Sequence, residues 1–266
     1  MNPRRVIDPD EAARDILHTG KRMYDHGFVA ANDGNISVRL SEDRLLTTPS
    51  GMSKGFLTRG DLVVTDMRGE KVSGKREPTS EVKMHIRAYE LREDIVAVMH
   101  AHPPYATAFS VVAVPLAGCI LPEVIVSIGS VPLTQYATPG TDEVPRSIEE
   151  IVKRYDAFLL RNHGVMTVGA DVLGAYHKLE TVEHFAKITF IARHLGRINP
   201  LGDDEVQKLM EVRDKLGIKG PDPACQDCGA CEPASGAGGA SGAGGIDDAN
   251  LQKLIVEEVL KALKGR

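Results

Sequence analysis

The run Ile95-Val-Ala-Val-Met-His100-Ala-His102-Pro-Pro constrains this chain more than any other stretch. Five apolar residues in succession read as a buried strand, and residues two apart on a strand project from one face. His100 and His102 therefore point the same way. A third histidine closes a second apolar run, Ala157-Phe-Leu-Leu-Arg-Asn-His163-Gly164, whose polar turn would let it meet the first pair across a sheet. Three neutral imidazoles leave one position open on a tetrahedral Zn2+, the pattern of a catalytic rather than a structural site. A lone histidine is usually a satisfied core residue; a His-x-His at a strand end with a matching third points to metal.

The rest of the 266 residues sets limits. The formal net charge of -5 and the scattered basic residues give no footprint for nucleic acid. No apolar stretch follows Met1-Asn-Pro-Arg-Arg, so no signal peptide is expected, and the hydrophobic region 111–133 is cut by Pro115, Pro122, Glu123 and Pro132. The expectation is a cytoplasmic protein without a membrane span. Cys119 reads as a buried thiol. Cys225, Cys228 and Cys231 have a spacing no disulfide framework requires, and as metal ligands they lack a nearby fourth; they read as an unligated thiol cluster.

One boundary is clear. Between Gly220 and Gly245 there are eight glycines and six alanines and no leucine, isoleucine, valine, aromatic or basic residue, so the segment cannot bury enough to fold. The expected organisation is a catalytic body over 1–219, a flexible linker over 220–245 and an amphipathic docking helix over 246–266. In that helix Leu251, Leu254, Ile255, Val259, Ala262 and Leu263 make one stripe, with Lys253, Glu257, Lys261 and Lys264 opposite.

The body reads as mixed α and β. Helical spacing runs from Asp10 to His26, from Pro78 through Leu91, from Val172 to Leu195 and from Asp203 to Leu216; short strands are expected at Asn35–Leu40, Arg44–Thr48 and Leu62–Thr65. Two glycine loops, Asn32-Asp33-Gly34-Asn35 and Thr48-Pro49-Ser50-Gly51, can turn backbone N–H groups and a hydroxyl toward an anion, and Thr79-Ser80 adds hydroxyls at a helix start. Each alone is ordinary turn chemistry.

Taken in order, Gly34-Asn35-Ile-Ser-Val-Arg, Thr48-Pro49-Ser50-Gly51, Pro78-Thr79-Ser80-Glu81, His100-Ala-His102 and Asn162-His163-Gly164 resemble the class II aldolase and adducin amino-terminal domain family over roughly residues 10–217. The resemblance is strongest to its sugar-phosphate aldolases of the fuculose-phosphate type. It implies an α/β fold, a three-layer α/β/α sandwich around a mainly antiparallel nine-stranded sheet, assembled as a homotetramer with sites between subunits. It implies Zn2+ on His100, His102 and His163, with Glu81 as acid/base and resting ligand, and substrate phosphate on Gly34, Asn35, Ser50, Gly51, Thr79 and Ser80. The implied reaction cleaves a deoxyketose 1-phosphate to dihydroxyacetone phosphate and lactaldehyde through a metal-stabilised enediolate. Two departures fall on the aldehyde side: where such aldolases carry tyrosines, this chain has Leu216 and Leu121-Pro122-Glu123, leaving Glu123 as a candidate acid or a plain surface charge. A ribulose-phosphate 4-epimerase or a non-enzymatic assembly module are the alternatives within the family; the intact metal set argues against the latter. The tail resembles the encapsulation peptides that bind microcompartment shell protein or co-cargo, which would place the enzyme inside a bacterial microcompartment.

Overall fold

The computed structural model describes residues 7–218. In chain order the elements are α1 (Pro9–Asp25), β1 (Asn35–Arg39), β2 (Leu45–Thr47), β3 (Val63–Thr65), β4 (Lys71–Ser73), α2 (Val82–Leu91), β5 (Ala97–Ala101), α3 (Pro104–Val111), α4 (Pro122–Ser127), α5 (Glu143–Ser147), α6 (Glu149–Val152), β6 (Ala157–Leu160), β7 (Gly164–Gly169), α7 (Val172–Leu195) and α8 (Asp203–Lys215). The helix starts follow their caps. The Asp8 carboxylate accepts from the Asp10 N–H at the head of α1, and Asp171 accepts from Gly174 N–H at the head of α7, each satisfying an amide the helix itself leaves unpaired.

One sheet in the order β4-β3-β2-β1-β5-β7-β6, antiparallel at every pairing, divides the helices into two layers. Alternation along the strands does the dividing. Ile36, Val38, Ala97, Met99, Ala101, Ala157, Leu159 and Val165 pack with α1 and α7; Val98, Phe158, Leu160, Met166 and Val168 pack with α2, α5 and α6. His100 shares its parity with Val98 and so lies on the α2 side.

The three-layer sandwich is thus as expected, with corrections of detail. Seven strands rather than nine are formed among the described residues. Around Pro115 and Pro132 only isolated bridges remain, Leu116 to Val131 and Leu133 to Leu159, because a proline has no N–H to give a ladder. The helix expected from Pro78 begins at Val82, with Glu81 at its N-cap position; Thr79 and Ser80 lie in the turn before it. Among the described residues no helix is long and apolar enough to cross a membrane. The linker expected over 220–245, its cysteines, and the helix expected over 246–266 lie outside the described residues.

Candidate active site

His100 sits on β5 paired with Met166 of β7 and Asn35 of β1. Its buried Nδ1 donates to the Val165 carbonyl at 2.9 Å, which leaves Nε2 bare and aimed away from the sheet. His102, two residues on, places its own Nε2 3.0 Å from that atom and its Nδ1 3.2 Å from the Asp33 carboxylate. His163 is in the turn between β6 and β7, held by a left-handed Asn162 with φ 56°. One ligand atom from each of the three lies within 4.8 Å of the others. Backbone carbonyl and carboxylate partners on the far nitrogens are what orient imidazoles for a metal.

Two glycines allow this approach. A Cβ on Gly164 would collide with the Ala101 carbonyl oxygen and lie 2.7 Å from His102 Cδ2. A Cβ on Gly34, itself at φ 71°, would lie 2.6 Å from Val29 Cγ1 and 2.8 Å from the His100 carbonyl. No larger residue fits at either place without moving a histidine strand.

Glu81 completes the cluster. Its Oε2 is 3.5 Å from His100 Nε2 and accepts from Asn35 Nδ2 at 2.7 Å, while Oε1 is 3.4 Å from His163 Nε2 and has no hydrogen-bond partner although buried. A buried acceptor without a donor costs roughly 1–3 kcal/mol, more for a charged group. Three clustered imidazoles beside a buried carboxylate with an orphaned oxygen are a donor set that fits a divalent cation, and His100, His102, His163 and Glu81 are the residues that would hold it. Burial works against ionising Glu81, but His100, His163 and the Asn35 hydrogen bond outweigh it and hold the carboxyl down to about 2. Burial lowers His100 to about 3, with Glu81 opposing, and lowers His163 as well. Neutral imidazoles at neutral pH are the form a metal requires.

The expected phosphate residues are drawn together by hydrogen bonds between loops: Thr79 N–H donates to the Thr48 carbonyl, Ser50 N–H to the Glu77 carbonyl, and Ile36 N–H to Thr48 Oγ1. The Ser50 and Thr79 amides are therefore occupied. Sequence reading missed Lys54, whose buried ammonium donates to the carbonyls of Asn32 at 2.8 Å and Met52 at 2.5 Å and so ties one glycine loop to the other. Burial pushes it down to about 8, against the raising effect of Asp33 and Glu81. It missed Asp33 as well. The aldehyde-side residues do not join this cluster: Glu123 is exposed on α4, Leu216 is exposed just past α8, and neither touches Glu81 or a histidine among the described residues. A cleft of about 470 Å3 lined by Thr134, Arg154, Tyr155 and Arg161 includes none of the site residues.

Residues 14–190 match the model of the Class II Aldolase and Adducin N-terminal domain. The chain belongs to that family. It is similar to an L-fuculose phosphate aldolase of Methanococcus maripaludis, 35% identical over 173 residues that cover 65% of this chain and 93% of the relative. It is also similar to a 3-oxo-tetronate 4-phosphate decarboxylase of Haemophilus influenzae, 31% identical over 206 residues covering 73% and 93%. Among solved structures, an L-fuculose 1-phosphate aldolase superposes with a TM-score of 0.70 at 32% identity, covering 77% of this chain and 96% of that one. Membership together with the intact histidine triad supports an enzyme of lyase type, and the triad is the place where it can bind the metal on which class II aldolases depend.

Proposed function

We propose that this protein is a zinc-dependent aldolase that cleaves a deoxyketose 1-phosphate, L-fuculose 1-phosphate or a close analogue, to dihydroxyacetone phosphate and lactaldehyde. The observation that carries this reading is the clustering of His100, His102 and His163, with ligand atoms within 4.8 Å of one another, beside the buried Glu81 carboxylate, whose Oε1 lies 3.4 Å from His163 Nε2 without a hydrogen-bond partner. What Zn2+ bound there supplies is Lewis acidity toward the substrate's carbonyl side, where negative charge develops as the carbon–carbon bond breaks.

The chain's own residues do the rest. Cleavage between C3 and C4 removes a proton from the C4 hydroxyl and adds one at C3, so the products balance the substrate. Glu81 Oε1 handles the proton at C3, and with no substrate bound Glu81 would hold the metal together with the three histidines. Its Oε2 accepts from Asn35 Nδ2 at 2.7 Å, and a shift of the carboxylate between metal-bound and metal-free positions would restore its basicity. The Ser50, Thr79 and Ser80 hydroxyls with the Gly34, Asn35 and Gly51 backbone hold the phosphate, and Lys54 beneath both loops adds positive charge. Glu123, if it acts, acts on the aldehyde.

Incubation with fuculose, rhamnulose and ribulose phosphates, with product identification and metal analysis, tests the reading. Lactaldehyde and dihydroxyacetone phosphate with about one zinc per chain support it; turnover of ribulose phosphate without cleavage favours the epimerase. The similarity to a 3-oxo-tetronate 4-phosphate decarboxylase favours a second reading, in which the same site breaks a bond to a carboxylate and releases CO2. We further propose a homotetramer with sites between subunits. The apolar stripe of Leu251, Leu254, Ile255, Val259, Ala262 and Leu263 supports docking of 246–266 on microcompartment shell protein or co-cargo. Grafting that segment with its linker onto a fluorescent protein checks the docking.

A further inference from the structure

Behind Glu81 stands a second row of buried polar side chains that the proton step does not touch. Glu81, His85 and Tyr89 follow one another at intervals of four along α2 and its cap; Asn35 and Ser37 are two apart on β1. Four helical residues rise about 6 Å and two strand residues about 6.6 Å, so the two elements present matching rungs. Asn35 Nδ2 donates to Glu81 Oε2 at 2.7 Å, Asn35 Oδ1 is 2.6 Å from His85 Nε2, and His85 Nδ1 is 2.7 Å from Ser37 Oγ. Tyr89 Oη is 2.9 Å from Ser37 Oγ and donates to the Ser37 carbonyl at 2.9 Å.

The proton directions along this row are set by its ends. An ionised carboxylate only accepts, so Asn35 must turn its amide nitrogen to Glu81 and its oxygen to His85. His85 must then donate through Nε2 and accept at Nδ1, and Ser37 must donate to it. Fully enclosed, His85 is held down to about 4 by burial, against Glu81, and has one N–H to give; burial raises Tyr89, which stays a phenol. A flipped Asn35 would set its carbonyl oxygen against the carboxylate.

We propose that His85 is a positioning residue for the proton step: as the Nε2–H tautomer it locks the Asn35 carboxamide, which in turn holds the Glu81 carboxylate with Oε1 toward His163. The proposal rests on the assignment of Glu81 as the acid/base, but its first test does not require turnover.

In the 15N-labelled full-length protein the histidine side-chain spectrum should show one ring protonated at Nε2, unprotonated at Nδ1 and protected from solvent exchange, which disappears in His85→Gln. An Nδ1–H tautomer or a cationic ring at His85 overturns the proposal, whatever the substrate proves to be. On a substrate the enzyme turns over, His85→Leu should lower kcat by about 10- to 100-fold, the range for residues that orient a metal site's ligands. KM and zinc content should stay close to wild type. His85→Gln, which keeps an N–H donor, should recover part of the loss. Equal losses in both variants tracking a fall in thermal stability, or loss of zinc, would mean that His85 only supports the fold, and the proposal fails. If no sugar phosphate is cleaved, the aldolase reading fails while the tautomer still decides this one.

Discussion

The two ends of the expected site are built differently. At the metal end, His100 lies on β5, His163 in the β6–β7 turn and Glu81 at the cap of α2, and His100, His102 and Glu81 have second partners behind them in Val165, Asp33 and Asn35. At the aldehyde end, Glu123 and Leu216 sit exposed on α4 and just past α8 with no such backing. Side chains locked by packing and by second hydrogen-bond partners are held to the precision that proton transfer needs, and exposed ones are not. The comparison implies that the metal and proton chemistry is specified within one chain and that the choice of aldehyde is not.

The sharpest way to break that comparison is to remove a ligand. His100→Ala or His163→Ala leaves two imidazoles, and both zinc content and turnover should be lost; full metal occupancy by elemental analysis in either variant would contradict the assignment. Glu81→Gln keeps size and hydrogen bonding but accepts no proton, so kcat should fall by about 10²- to 10⁴-fold with metal largely kept. Gly164→Ala pushes a methyl into the Ala101 carbonyl and the His102 ring. It should cost roughly 1–3 kcal/mol of stability by chemical denaturation and weaken zinc binding; a neutral result would contradict the close β5–β7 approach.

Acid sensitivity sharpens the same contrast. His85 and His100 are held by burial near 4 and 3, below the 6.5 of an exposed imidazole. On acidification the unfolded chain therefore takes up protons first. Stability present above about pH 6.5 should decline as pH falls toward 4, which a melting-temperature series on metal-free protein would show; a flat series would contradict the buried neutral imidazoles. Smallest should be Glu123→Gln, expected to change KM and kcat by less than about threefold on dihydroxyacetone phosphate, with any larger effect confined to the aldehyde.

The histidine triad was legible because its carrier strands are continuous apolar runs, and the long helices because their apolar residues recur at helical spacing. The row behind Glu81 was not. Asn35-x-Ser37 and Glu81-x-x-x-His85-x-x-x-Tyr89 are a strand period and a helix period written in polar residues, and a search for apolar faces passes over them. Their matching intervals are the signal that would have found them. Short helices α3 to α6 escaped for a different reason: each is eight residues or fewer, and their form is set by tertiary packing rather than by local pattern. Lys54 was invisible because a lysine in a turn reads as solvated, and only the fold shows two loop carbonyls closing on its ammonium.

The most direct test of the central claim separates the two ends chemically. Zinc-loaded protein is incubated with dihydroxyacetone phosphate in D2O without any aldehyde, and exchange of the carbon-bound hydrogen next to the carbonyl is followed by NMR. The account predicts exchange of one hydrogen by the wild type and by Glu123→Gln, and its loss in Glu81→Gln. No exchange by the wild type, or undiminished exchange in Glu81→Gln, would contradict it.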